Sequence, residues 1–184
     1  MKHSLKVERA RMFCIAAHSA CGQIRKYSML PYHTHPQDVV DILVEHVPHV
    51  TQDMLAAAYL HDVVEDTKAS LVLIDQEFGK EVGWLVNGLT KTSWGDNPPP
   101  RRERFRFEVA RIKGTCANVK TIKIADSIAN MRDFIRDDPK YSRNVYLPEK
   151  RILLDSALKE GDTTLWNVAD KIIKDFYKEH HNAS

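Results

Sequence analysis

The chain is short of cysteine, and its three thiols, Cys14, Cys21 and Cys116, form no C-x-x-C pair; an odd count argues against a disulfide framework. Cys14 and Cys21 lie seven apart on one predicted helix and read as small core residues in a reduced compartment. No apolar run reaches transmembrane length, which excludes a helical membrane span. The opening residues, Met1 to Lys6, lead into a segment with Glu8, Arg9 and Arg11 and lack the uninterrupted apolar core of a secretory signal. A cytoplasmic protein with no membrane partner is expected. Charge of one sign is also scarce: 27 basic against 25 acidic residues leave a formal +2, too little to imply a nucleic-acid partner. Period-2 alternation is missing throughout, which excludes an ordinary β-sheet core.

What remains is helix. Apolar residues recur at helical spacing, predicting an all-α protein with helices near 6–25, 37–47, 52–64, 70–77, 79–90, 101–113, 117–133, 140–159 and 163–179. Pro31 and Pro36 flank a loop, Pro48 ends a helix, and Thr51 with Asp53, and Thr67 through Ser70, can supply caps. Only the stretch 93–100, Ser-Trp-Gly-Asp-Asn-Pro-Pro-Pro, is irregular by composition. A hydrophobic content of 43% and 28% charged residues suit a globular protein, and 184 residues suit one domain spanning 1–184.

The most informative stretch is Leu60-His61-Asp62-Val63-Val64-Glu65-Asp66-Thr67. At about 100° per residue, His61, Asp62, Glu65 and Asp66 span roughly 140° of a helix that follows an apolar run. An imidazole and three carboxylates beside such a run are costly to bury unless paired or coordinated. The competing reading is an acidic last turn of a core helix. A metal centre needs further ligands, and two distant residues can complete it: His35, where a loop meets a helix, and Asp126, in the mostly apolar helix that starts near 117. Two imidazoles and two carboxylates form a mixed N/O set suited to Mn²⁺, with Fe²⁺ or Zn²⁺ as alternatives. Such an ion lowers the pKa of bound water and polarises a phosphoryl oxygen. Glu65 and Asp66 then stand where they can orient water or shuttle its proton. No histidine lies between Asp62 and Asp126, and those after it are His180 and His181, so one ion is expected.

Taken together, these motifs resemble the HD-domain phosphohydrolases of the Rel/Spo type, the stand-alone small alarmone hydrolases. The resemblance runs from about Phe13 to Trp166. It is carried by Gly22-Gln23-Ile24-Arg25-Lys26-Tyr27, Pro31-Tyr32-His33-Thr34-His35-Pro36, the His61-Asp62 stretch, Phe78-Gly79-Lys80, Leu89-Thr90-Lys91, Ile124-Ala125-Asp126 and Tyr146-Leu147-Pro148-Glu149. It implies a single HD-domain bundle of about eight to ten helices. It implies a metal held by His35, His61, Asp62 and Asp126, Glu65 and Asp66 as the catalytic pair, and Arg25, Lys26 and Asn130 lining a nucleotide pocket. The implied activity is removal of the 3′-pyrophosphate of (p)ppGpp or a relative such as (p)ppApp, with no length left for a synthetase domain and a homodimer left open. The family often has histidine two residues before the Gly-Gln pair, where this chain has Ala20, and a basic residue after the aspartate, where Ser127 stands here. Alternatives are an HD phosphohydrolase acting on a deoxynucleotide or the 2′-phosphate of NADPH, and a non-catalytic nucleotide-binding or antitoxin module.

Other tempting residues read more plainly. His33 is expected to reach solvent, and His18 to be a core or rim residue. The basic cluster Arg101 to Arg106 is expected to be a solvated helix face offset by Glu103 and Glu108, with a lid over phosphates as the sharper alternative. Lys91 and Lys123 are candidates for charge neutralisation, and Trp84, Trp94 and Trp166 for packing.

Overall fold

The computed structural model describes residues 4–180; residues 1–3 and 181–184, His181 among them, fall outside that range. Among the described residues there are helices and no strand, only an isolated bridge between Ile24 and Pro31. The all-α expectation holds. The chain divides into two compact units, Met1–Gly95 and Asp96–Ser184.

In the first unit the elements are α1 (Leu5–Ala20), α2 (Thr34–His46), α3 (Gln52–Leu60), α4 (Val63–Asp66), α5 (Leu71–Phe78) and α6 (Lys80–Leu89). The centre is α3, where every residue from Met54 to Leu60 is buried. A helix apolar on all sides belongs inside, and α1, α2 and α6 pack around it. The three alanines Ala56, Ala57 and Ala58 are fully buried and present little bulk to these neighbours. Burial of side chains such as Leu55 and Leu60 supplies about 1.5–3 kcal/mol each. Thr51 caps α3 by accepting from the Met54 N–H at 3.2 Å, and Ser70 caps α5 through the Leu73 N–H at 3.2 Å. Between α5 and α6, Gly79 takes φ 91°, ψ 159°, a region only glycine enters readily.

The predicted helix 52–64 is broken. The α3 helix ends at Leu60, His61 and Asp62 form a turn, and α4 restarts at Val63. The cause is local: His61 Nδ1 lies 2.8 Å from the Ala58 carbonyl and takes an acceptor of the helix's last turn. Its polar groups therefore project from a turn and a short helix, not from one continuous face.

The second unit comprises α7 (Arg101–Lys113), α8 (Ala117–Asp137), α9 (Pro139–Tyr141), a π-helical turn (Ser142–Tyr146), α10 (Leu147–Ala157) and α11 (Thr163–His180). Here α8 is the core, buried without interruption from Val119 to Ala129, with α10, α11 and the π turn against it. Gly161 permits a close approach: a Cβ there would sit 2.8 Å from Ile124 Cδ1 and 3.2 Å from the Lys120 backbone. The predicted helix 140–159 is interrupted because Pro148 has no N–H. The Leu147 N–H reaches back to the Ser142 carbonyl instead, an i→i+5 bond.

Candidate metal centre

His35 sits in the first turn of α2, on the face that also buries Val39 and Ile42, and is 3% exposed. His61 and Asp62 come from the turn after α3 and are buried as well. These three offer ligand atoms that all lie within 4.8 Å of one another. Asp62 Oδ2 is 2.9 Å from His61 Nε2 and 3.9 Å from His35 Nε2, and the two imidazole rings have centroids 5.3 Å apart. Tyr32 donates its hydroxyl to Asp62 Oδ2 at 2.6 Å.

The donor chemistry fits a cation. With Nδ1–H donated to the Ala58 carbonyl, a neutral His61 turns the lone pair of Nε2 toward a carboxylate oxygen. Two acceptors at 2.9 Å repel unless a proton or a metal stands between them. Ligand atoms about 2.1 Å from a common ion sit at most roughly 4.2 Å apart, so the 2.9 Å and 3.9 Å separations suit one ion. Burial alone would push the Asp62 carboxyl up, but a proton held on the facing His61 or His35, with Lys91 beyond, outweighs it and holds the carboxyl well below the usual range. It is thus an anion at neutral pH.

Glu65 and Asp66 follow on α4. Lys91 grips Glu65 twice, Nζ to Oε1 at 2.8 Å and backbone N–H to Oε2 at 3.3 Å. Asp66 Oδ2 accepts from Gln23 Nε2 at 2.9 Å. Burial pushes the Asp66 carboxyl up, the Gln23 bond pulls it down, and the neighbouring Asp62 and Glu65 charges reinforce the rise. The two acids therefore differ: one is neutralised by a lysine, the other holds its proton to higher pH.

The remaining predicted residues fall into separate settings. Arg25 is 10% exposed and spans Asp38 Oδ2 at 2.6 Å and Thr34 Oγ1 at 3.3 Å. Lys26 lies over the Tyr27 ring at 4.7 Å. In the second unit Asp126 is buried, with Lys123 Nζ 2.9 Å away and Asn130 Nδ2 donating to its Oδ1 at 2.6 Å. Asn130 thus shares the Asp126 face, as the i+4 spacing implies. Arg101 forms a two-point bond with Glu149 of α10 at 2.9 and 2.7 Å, which neutralises one member of the basic cluster, while Glu108 pairs with Arg111 beyond it. Trp84 is 53% exposed, contrary to a packing role.

Sequence reasoning missed Tyr32 and Gln23 as participants. Both stood inside quoted motifs, but their contacts depend on the 21–33 loop, whose path has no periodic signature.

A family model described as HD domain matches residues 10–148. Guanosine-3′,5′-bis(diphosphate) 3′-pyrophosphohydrolase MESH1 of Mus musculus is 36% identical over 125 residues, covering 67% of this chain and 68% of that protein. GTP pyrophosphokinase rsh of Brucella ovis is 34% identical over 139 residues, 73% of this chain. The chain spans 18% of the length of that Brucella relative. Among solved structures, a metazoan ortholog of SpoT that hydrolyzes ppGpp and plays a role in starvation responses superposes with a TM-score of 0.83 at 28% identity, over 95% of this chain and 97% of that one.

Proposed function

Since this chain belongs to the HD-domain family and stands with its Rel/Spo-type members, we propose that it is a metal-dependent nucleotide pyrophosphohydrolase acting as one domain over 1–184. Its substrate is (p)ppGpp or a close purine relative such as (p)ppApp. A water oxygen bonds to the 3′-linked phosphorus, the P–O3′ bond breaks, and pyrophosphate carries away the new oxygen while the ribose 3′-oxygen takes up a proton to become a free hydroxyl. The observation that carries this reading is the convergence of His35, His61 and Asp62 on one small volume, together with relatives named for this hydrolysis.

The ion proposed is a single Mn²⁺, held by His35, His61 and Asp62 with Asp126 as the ligand the family resemblance adds. When bound it supplies Lewis-acid assistance and a lowered water pKa. The chain's own groups do the rest. Tyr32 orients the Asp62 carboxylate, and the Ala58 carbonyl fixes the His61 tautomer, the outer contacts that hold ligands in place. Asp66, whose proton is held to higher pH, serves as the proton carrier, with Glu65 beside it on the Lys91 tether. Arg25, Lys26 and Asn130 are the proposed nucleotide contacts.

The test is a panel of nucleotides with Mn²⁺, reading products by chromatography. The account expects pyrophosphate and a 5′-phosphorylated nucleoside from ppGpp, loss of metal and turnover in His61→Ala, and retention of metal without turnover in Glu65→Gln. Orthophosphate or triphosphate as the phosphorus product points instead to a different phosphomonoesterase. Tight alarmone binding without any turnover points to a non-catalytic module.

A further inference from the structure

Behind Asp66 lies a line of hydrogen bonds that the proposed chemistry leaves unused. Gln23 Nε2 donates to Asp66 Oδ2 at 2.9 Å, while Gln23 Oε1 lies 2.6 Å from Nδ1 of His18. His18 is fully buried on α1. Its ring tilts against Tyr32 with centroids 4.8 Å apart, and Tyr32 is the residue that donates to Asp62.

The polarity of this line is determined by what each atom can do. An amide oxygen only accepts, so the His18 proton resides on Nδ1. With Asp66 ionised, reversing the amide would set the Gln23 oxygen against the Asp66 carboxylate, two acceptors at 2.9 Å. The imidazole tautomer and the amide orientation therefore lock each other. His18 Nε2 is left with its lone pair in the interior and no hydrogen-bond partner among the described residues. A neutral ring suits this: burial lowers the His18 pKa, and neither the Gln23 bond nor the Asp62 and Asp66 charges reverse the direction. A buried imidazole with one nitrogen unsatisfied is costly, so its retention calls for a role.

We propose that His18 and Gln23 are positioning residues for Asp66, a relay that anchors one carboxylate oxygen and so presents the other to the reacting groups. The proposal rests on the reading of Asp66 as a proton carrier. Its test compares Gln23→Leu, His18→Leu and His18→Asn, because an asparagine amide can place a donor near the former Nδ1 whereas leucine fills volume without one. Two readouts are taken: steady-state hydrolysis of ppGpp with Mn²⁺, and the titration midpoint of the Asp66 side-chain carboxyl followed by ¹³C NMR in the metal-free protein.

Gln23→Leu and His18→Leu are expected to lower kcat by about tenfold, the usual scale for losing an orienting partner, with KM and bound metal unchanged. In both, the Asp66 midpoint rises, since a donor to its ionised form is removed or loosened. His18→Asn restores kcat and midpoint toward those of the parent. An unmoved midpoint in Gln23→Leu overturns the relay whatever happens to activity, and so does a His18→Asn protein as impaired as His18→Leu. If the parent hydrolyses no nucleotide while the midpoint moves as stated, the relay stands and the hydrolase reading falls.

Discussion

At the scale of single residues, the buried Asp62 and the half-buried Asp66 on either side of Val64 carry opposite burdens. Asp62 has its carboxyl pulled down by two imidazoles and a lysine that outweigh burial, so it stabilises the fold above the unfolded carboxylate range. Asp66 has its carboxyl pushed up, by burial first. A group whose folded pKa is raised favours the fold in its protonated form; that contribution is whole below the unfolded value and is lost as pH rises through the raised folded value. Above that range the ionised Asp66 is therefore a cost to stability. Asp66→Asn removes this charge and keeps an oxygen for Gln23 to bond. Thermal melts of the metal-free protein should show a higher Tm for Asp66→Asn at pH 7, with the gain gone below about pH 4, where the parent carboxyl is itself neutral. The same protein should fail to turn over substrate.

At the scale of elements, the site depends on helices ending where they do. Gly79 separates α5 from α6 with φ 91°, ψ 159°, and α6 leads to Lys91, the tether of Glu65. Gly79→Ala forces a side chain into a glycine-only region at about 1–3 kcal/mol, and chemical denaturation should register that loss with an unchanged m-value. Helices whose apolar spacing ran undisturbed were legible from sequence: 101–113 appears with those bounds, and α3, α5, α6 and α11 begin within a residue of expectation. The two long predictions that broke did so through groups that compete with the helical ladder. One was the His61 ring taking the Ala58 carbonyl, the other the missing N–H of Pro148. Among candidate site residues, the grouping of His35 with His61 and Asp62 was legible because ligand types followed an apolar run in one stretch and stood where a loop meets a helix in the other. The parts played by Tyr32, Gln23 and His18 could not, since they depend on a turn-rich loop that carries the chain from α1 to α2.

At the scale of the whole molecule, no described helix is long and apolar enough to cross a membrane, and the near-balanced charge leaves local clusters to do the electrostatic work. The seat proposed for one divalent cation is the cluster of His35, His61 and Asp62. Such an ion binds the folded chain and not the unfolded one, so it also adds stability by mass action. Equilibrium dialysis of the metal-free protein against Mn²⁺ tests the claim most directly, with His61→Ala alongside. The prediction is one ion bound per chain in the parent and at least about a hundredfold weaker binding in the variant, a loss beyond that of an outer contact alone. Equal stoichiometry and affinity in the two proteins would contradict it.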